Sequence, residues 1–108
     1  MILNNENFNI GDWIEITIYD CMSCSAVITN VYNNKFKLYI KQITAFCYPN
    51  QYLLIREIEV DFSEICEIVN VTSKVRDLLA LHNSKRSVIE LLKNFKGNYC
   101  MIKRYLTK

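Results

Sequence analysis

Two groups of residues in this 108-residue chain have types and spacing that could do chemistry: the cysteines and the C-terminal cations. Of five cysteines, Cys21 and Cys24 form a CxxC in "DCMSC". A structural zinc needs four thiolate or imidazole ligands, usually from two knuckles. Here Cys47, Cys66, Cys100 or the single histidine, His82, would have to complete one CxxC from separate elements. A redox pair needs its first thiol at a helix N-terminus, where the dipole favours thiolate. The residues around "DCMSC" read as strands, so the stretch is expected to be a turn, with no metal and no cofactor. Cys47, Cys66 and Cys100 stand among apolar residues and are expected to pack as small core side chains.

Catalysis finds few other parts. His82 falls at the end of a helical apolar stripe, the place of a boundary residue. Two glycines leave no phosphate loop, and no carboxylate pair stands out. The expectation is a protein that is not an enzyme and has no small-molecule substrate.

Charge is more informative. The net charge is +2, yet residues 1–70 sum to −5 and residues 71–108 to +7. The basic part carries Lys85, Arg86, Lys93, Lys96, Lys103 and Arg104, with Tyr105 beside them; only Asp77 and Glu90 oppose them there. Such a segment suits a polyanion or an acidic protein surface. A second face, Lys35, Lys37, Tyr39 and Lys41, interleaves cations with a ring as single-strand platforms do. Glu57, Glu59 and Asp61 alternate on the following strand, however, and antiparallel pairing would turn those lysines into a cross-strand ladder.

The elements that must hold these residues follow from periodicity. "DWIEITIY" alternates Ile14, Ile16 and Ile18 with polar neighbours, the mark of a half-buried strand. In "SAVITNVY", Ile28 and Val31 are three apart, which predicts a bulge near Thr29–Asn30. Asn33–Asn34 suits a two-residue hairpin with positive φ. "KFKLYIK" points Phe36, Leu38 and Ile40 inward; "REIEVDF" does so with Ile58, Val60 and Phe62, and "SEICEIV" with Ile65 and Ile68. Five short strands over residues 12–70 predict a bent antiparallel sheet, closing most simply into a small barrel.

Val75, Leu78, Leu79 and His82 follow helical spacing, as do Val88, Leu91, Leu92 and Phe95. Thr72 or Ser73 is the expected cap of the first helix, Asn83 or Ser84 of the second, with Gly97 just past its end. Residues 98–107 fit either a strand or a helix, and the stripe Tyr99, Ile102, Leu106 favours the helix. The fold class is α+β: an acidic sheet unit (1–70) with a basic helical segment (71–108) packed on it. A helix-turn-helix within "NFKGNYCMIKRYL" is compatible with the spacing.

"IEITIYD", "AVITNVYNNKFKLYI" and "IEVDFSEICEIV" together resemble the SH3-like and Sm-like small barrels, and among them the bacterial YolD-like proteins. The resemblance covers roughly residues 12–70 and implies a binding module without catalysis; YolD-like proteins add a link to DNA damage. The chain departs from that pattern at the bend of its second strand, with Ala26 in place of glycine, and in carrying its helices after the strands.

No apolar run reaches the roughly 20 residues needed to span a bilayer. The first residues lack a basic then apolar leader, so the chain reads as cytoplasmic. Richness in Asn, Ile, Lys and Tyr suggests an AT-rich genome such as that of a low-GC bacterium, a phage or a plasmid. Two functions fit: a nucleic-acid-binding accessory or regulatory protein, or a phage- or plasmid-encoded inhibitor, anti-CRISPR-like, of a nucleic-acid-handling enzyme. A homodimer is compatible with either.

Overall fold

The computed structural model describes residues 2–3, 5–19, 22–46 and 56–107. Asp20, Cys21, Cys47 and the loop "CYPNQ" lie outside the described residues. β1 (Ile2–Leu3) and β2 (Glu6–Asn7) form a small hairpin. β3 (Trp13–Ile18), β4 (Met22–Val31), β5 (Lys35–Phe46), β6 (Glu57–Asp61) and β7 (Ile65–Asn70) form one antiparallel sheet in the order β6-β5-β4-β3-β7. A 3₁₀ turn (Phe62–Glu64) joins β6 to β7. Three helices follow: α1 (Val71–Leu81), α2 (Val88–Asn94) and α3 (Tyr99–Leu106). Residues 98–107 are thus mainly helical, as the apolar stripe favours.

The sheet bends because β4 and β5 do not keep step. Their register slips at Ser23/Cys24, at Ser25/Ala26 and at Ile28/Asn30, the last being the bulge expected from the Ile28–Val31 spacing. Each extra residue adds local twist and curls the pair. The sheet does not close into a barrel. β6 pairs with β5 only, through Lys35–Tyr39, and β7 pairs with β3 only, so two edges remain. The open side is filled by the N-terminal segment: Phe8, fully buried, meets the Phe36 ring edge-on at 5.8 Å, and Leu3 packs beside the core. The hairpin turn also differs from expectation. Tyr32 N–H donates to Lys35 C=O at 2.9 Å, and neither Asn33 nor Asn34 takes a positive φ.

The period-2 pattern sorts the side chains into two cores. Ile14, Ile16, Ile18, Cys24, Ala26, Ile28, Phe36, Leu38, Ile40, Val60 and Ile68 share the inner face. On the outer face, Trp13 and Val27 support the helices, and Trp13 joins Val71, Val75, Leu78, Leu79, Leu91, Leu92 and Ile102 in a second core. His82 departs from its expected stripe: it is exposed and caps the C-terminus of α1. The N-terminal cap of α1 is Asn70, one residue before the helix, rather than Thr72 or Ser73. Asn70 is buried; its Oδ1 accepts the Ser73 N–H at 3.1 Å, and its Nδ2 donates to Asn7 C=O and to Asp12 Oδ2. Thr72 is used elsewhere, its Oγ1 accepting the Trp13 N–H at 2.8 Å. Ser87, not Asn83 or Ser84, caps α2 by accepting the Glu90 N–H; Asn83 instead adopts φ 50° just past α1.

Between α2 and α3 the chain reverses through Lys96 (φ 52°) and Gly97 (φ 71°). Gly97 N–H donates to Leu92 C=O at 2.8 Å, and Asn98 caps α3 by accepting the Met101 N–H. A Cβ at Gly97 would lie 2.7 Å from Cε3 of Trp13, so this turn can rest on the indole only as glycine. Gly97→Ala is therefore expected to cost ~1–3 kcal/mol in chemical denaturation, the range for overpacking a filled site. Gly11→Ala has a positive φ but open space around it and should cost less, about 1 kcal/mol.

Candidate partner-binding surface

The helices place the predicted cations on one half of the molecule. Lys85 and Arg86 lie in the α1–α2 loop, Lys93 in the last turn of α2, Lys96 in the α2–α3 turn, and Lys103, Arg104 and Tyr105 on α3. All seven are exposed. Lys93, Lys103 and Arg104 sit where a cation favours the helix dipole. Among the described residues the only ion pairs are Lys35–Glu59 and Lys37–Glu57, both within the sheet. Among the described residues no carboxylate of the acidic sheet pairs with a cation of the helices, Glu15 meeting α3 only at the Tyr99 N–H, so packing the two units together leaves the helical cations uncompensated.

Two of these residues gather with Phe95 into a defined feature. Arg86 Nη1 donates to Tyr105 Oη at 2.7 Å, and its guanidinium carbon is 4.9 Å from the ring centroid. Phe95, at the end of the α2 apolar stripe, is half-buried against the helical core and also meets the Tyr105 ring at 5.3 Å. Arg86, Phe95 and Tyr105 line a hollow of about 240 Å³ with Glu90 at its side. A neighbouring hollow brings Arg104 and the exposed Met101 to the same rings. Lys85, Lys93 and Lys96 stand apart from this cluster, with no side-chain bond among the described residues. Met101 was missed because an apolar residue on an exposed helix face has no distinguishing pattern in sequence.

The second candidate face is engaged within the fold. Lys35 Nζ lies 2.9 Å from Glu59 and Lys37 Nζ 3.8 Å from Glu57. These contacts run diagonally, because the register sets Lys35 opposite Asp61 and Lys37 opposite Glu59. The hydrogen bond to Glu59, followed by its charge, raises the pKa of Lys35. Lys41 follows a different route: its ammonium lies 4.8 Å from the Tyr39 ring centroid and 5.5 Å from the Trp13 ring. Cation–π contact thus occupies the lysine that the carboxylates do not.

The cysteines divide differently from expectation. Cys24 is buried in the inner core, and Met22–Cys24 belongs to β4 rather than to the turn. Cys66 and Cys100 are exposed, not core residues. Cys66 lies where β7 slips register against β3, between the pairs Ile18↔Ile65 and Thr17↔Glu67. No group of three or more His, Cys, Asp or Glu with metal-holding geometry occurs among the described residues. No described helix is long and apolar enough to cross a membrane. No family model, curated protein or solved structure matches this chain.

Burial pushes the Cys24 thiol up to about 11 from 9.0. The fold holds it neutral, so its share of stability is present below pH 9 and lost as pH rises through about 11. At mildly alkaline pH, iodoacetamide should label Cys66 and Cys100 in the native protein and reach Cys24 only after unfolding. Peptide mass spectrometry of labelled native and denatured samples checks this.

Proposed function

We propose that this chain is a non-enzymatic nucleic-acid-binding accessory or regulatory protein, with its helical surface against phosphates and the bent sheet as scaffold. The observation that carries this reading is the uncompensated charge of Lys85, Arg86, Lys93, Lys96, Lys103 and Arg104. Surface cations that serve only solubility are normally mixed with acids. Here only Asp77 and Glu90 lie among the helical cations, and two of the acids on the sheet already hold Lys35 and Lys37. The exposed Tyr105, held by Arg86, adds a ring on which a base can stack. The resemblance of the strand sequences to Sm-like and SH3-like modules would add a binding scaffold; the short turn between β6 and β7 fits it, whereas the open edges at β6 and β7 depart from it.

A protein target is the second reading, favoured by one feature. Met101 is half exposed beside Phe95, Arg104 and Tyr105. An apolar contact ringed by arginine and aromatic side chains is the usual make-up of a protein-interface hot spot. An inhibitor of a nucleic-acid-handling enzyme would use this patch.

Charge reversal separates the two. Changing Lys93, Lys96, Lys103 and Arg104 to Glu should weaken binding to mixed-sequence duplex or single-stranded DNA by orders of magnitude in low-salt fluorescence anisotropy. Reversing Lys35, Lys37 and Lys41 should do less, because those lysines are engaged. A folded C-terminal variant that binds DNA like the parent removes the nucleic-acid reading. Absence of DNA binding by the parent, with a stoichiometric enzyme complex lost on Met101→Glu, supports the inhibitor.

A further inference from the structure

The helices cover only one end of the outer sheet face, over Trp13 and Val27. Another part of that face, beside the start of α3, is a groove of about 330 Å³ lined by polar and apolar groups together. Its floor is set by register. Glu15 pairs with Ser25 on one side and Val69 on the other; Thr17 pairs with Ser23 and Glu67. Thr44 from β5 and Asn98 and Cys100 from the helical segment complete the walls. One row of acceptors, Ser23, Thr17 and Glu67, thus crosses three strands, and a second, Ser25 and Glu15, crosses two; Glu15 and Glu67 are at diagonal positions, roughly 7–8 Å apart at the backbone.

Three of these groups are left with unused acceptor capacity. Ser25 is only 3% exposed, and its hydroxyl has no partner among the described residues. Every fully shielded side-chain polar atom among those residues has a partner. The Ser25 oxygen must therefore retain some access to solvent, and the groove it lines provides it. Glu67 is exposed and makes no ion pair. Glu15 is half-buried, and its one bond is a long one, 3.4 Å from the Tyr99 N–H. That N–H opens α3, where the helix dipole favours a carboxylate, and among the described residues no cation pairs with Glu15. The nearest basic hollow, with Lys103 and Arg104, shares Cys100 with the groove, yet neither cation pairs with Glu15 or Glu67.

We infer that the groove formed by Glu15, Thr17, Ser25 and Glu67 is a binding site for a guanidinium group. A guanidinium carries five N–H donors in a planar fork, enough to meet acceptors on separate strands at once; an ammonium carries three from a single point. The floor supplies carboxylates for charge and the Ser25 hydroxyl for direction; Thr17 Oγ1 already shares a 2.9 Å hydrogen bond with Ser23 Oγ and offers only its remaining acceptor capacity. The group can come from a small guanidino compound or from an arginine side chain of a partner protein. This site is independent of the basic surface, and its failure leaves the nucleic-acid reading as it stands.

The test is ¹⁵N NMR of the full chain titrated at constant ionic strength with agmatine, with a blocked arginine tripeptide, and with methylammonium as control. The expected result is saturable shifts at millimolar guanidine, centred on residues 15, 17, 25, 67 and 98–100. Glu67→Gln, an exposed change that leaves the other amide positions unmoved, should weaken binding about tenfold. Ser25→Ala should weaken it by a smaller factor. Tighter binding of the tripeptide identifies a protein side chain as the source, and tighter binding of agmatine a free compound. Shifts that do not saturate, an equal response to methylammonium, or undiminished affinity in Glu67→Gln overturns the proposal.

Discussion

Trp13 meets the helical segment at two places, and the rest of the molecule hangs on that contact. Its backbone N–H donates to Thr72 Oγ1 in the first turn of α1, and its indole lies directly under Gly97 in the turn before α3. One residue at the start of β3 thus sets both the beginning and the end of the helical segment against the sheet. Asn70 reinforces the arrangement from the other side, tying α1 to Asp12 and to the backbone of Asn7. The Trp13–Thr72 bond is buried and the Asn70 bonds part-buried, and breaking either set would leave polar groups poorly placed to reach water.

This joint has an electrostatic consequence. Because the helices dock through apolar residues and backbone hydrogen bonds, they need no charge pairing with the sheet. Glu57 and Glu59 are then left to Lys35 and Lys37, while the helical cations face solvent. Exposed pairs such as these contribute little to stability, but they remove charge from the face that would otherwise compete for a polyanion. The helices also leave half of the outer sheet face open, which is how the groove beside α3 arises.

Much of the fold was legible in the sequence because its strands alternate so regularly. Phe36, Leu38 and Ile40, or Ile14, Ile16 and Ile18, leave one solution for which face is inside. The Ile28–Val31 spacing gave away a bulge for the same reason. Closure was not legible: whether β6 and β7 meet depends on three register slips in β4 and β5 and on Phe8 filling the open side. Caps were misplaced by a few residues, since Asn70 and Ser87 compete with nearby Thr72 and Ser84 for the same role. Cys66 and Cys100 looked like core residues because their neighbours are apolar; a strand slip and a helix face turn them outward. The cation set was readable from the position of charges along the chain. The groove was not, because Ser25, Thr17 and Glu67 come together only through register.

The central claim is that the charge left exposed by the Trp13 joint is there to be neutralised by phosphate. The most direct measurement is the dependence of duplex or single-strand affinity on salt concentration. Contacts by about three to six of the exposed cations predict a log–log slope of roughly −3 to −5, since each phosphate contributes about −0.9 on duplex. A slope near zero, or no affinity at low salt, would contradict the account and assign the basic helices to a protein surface instead.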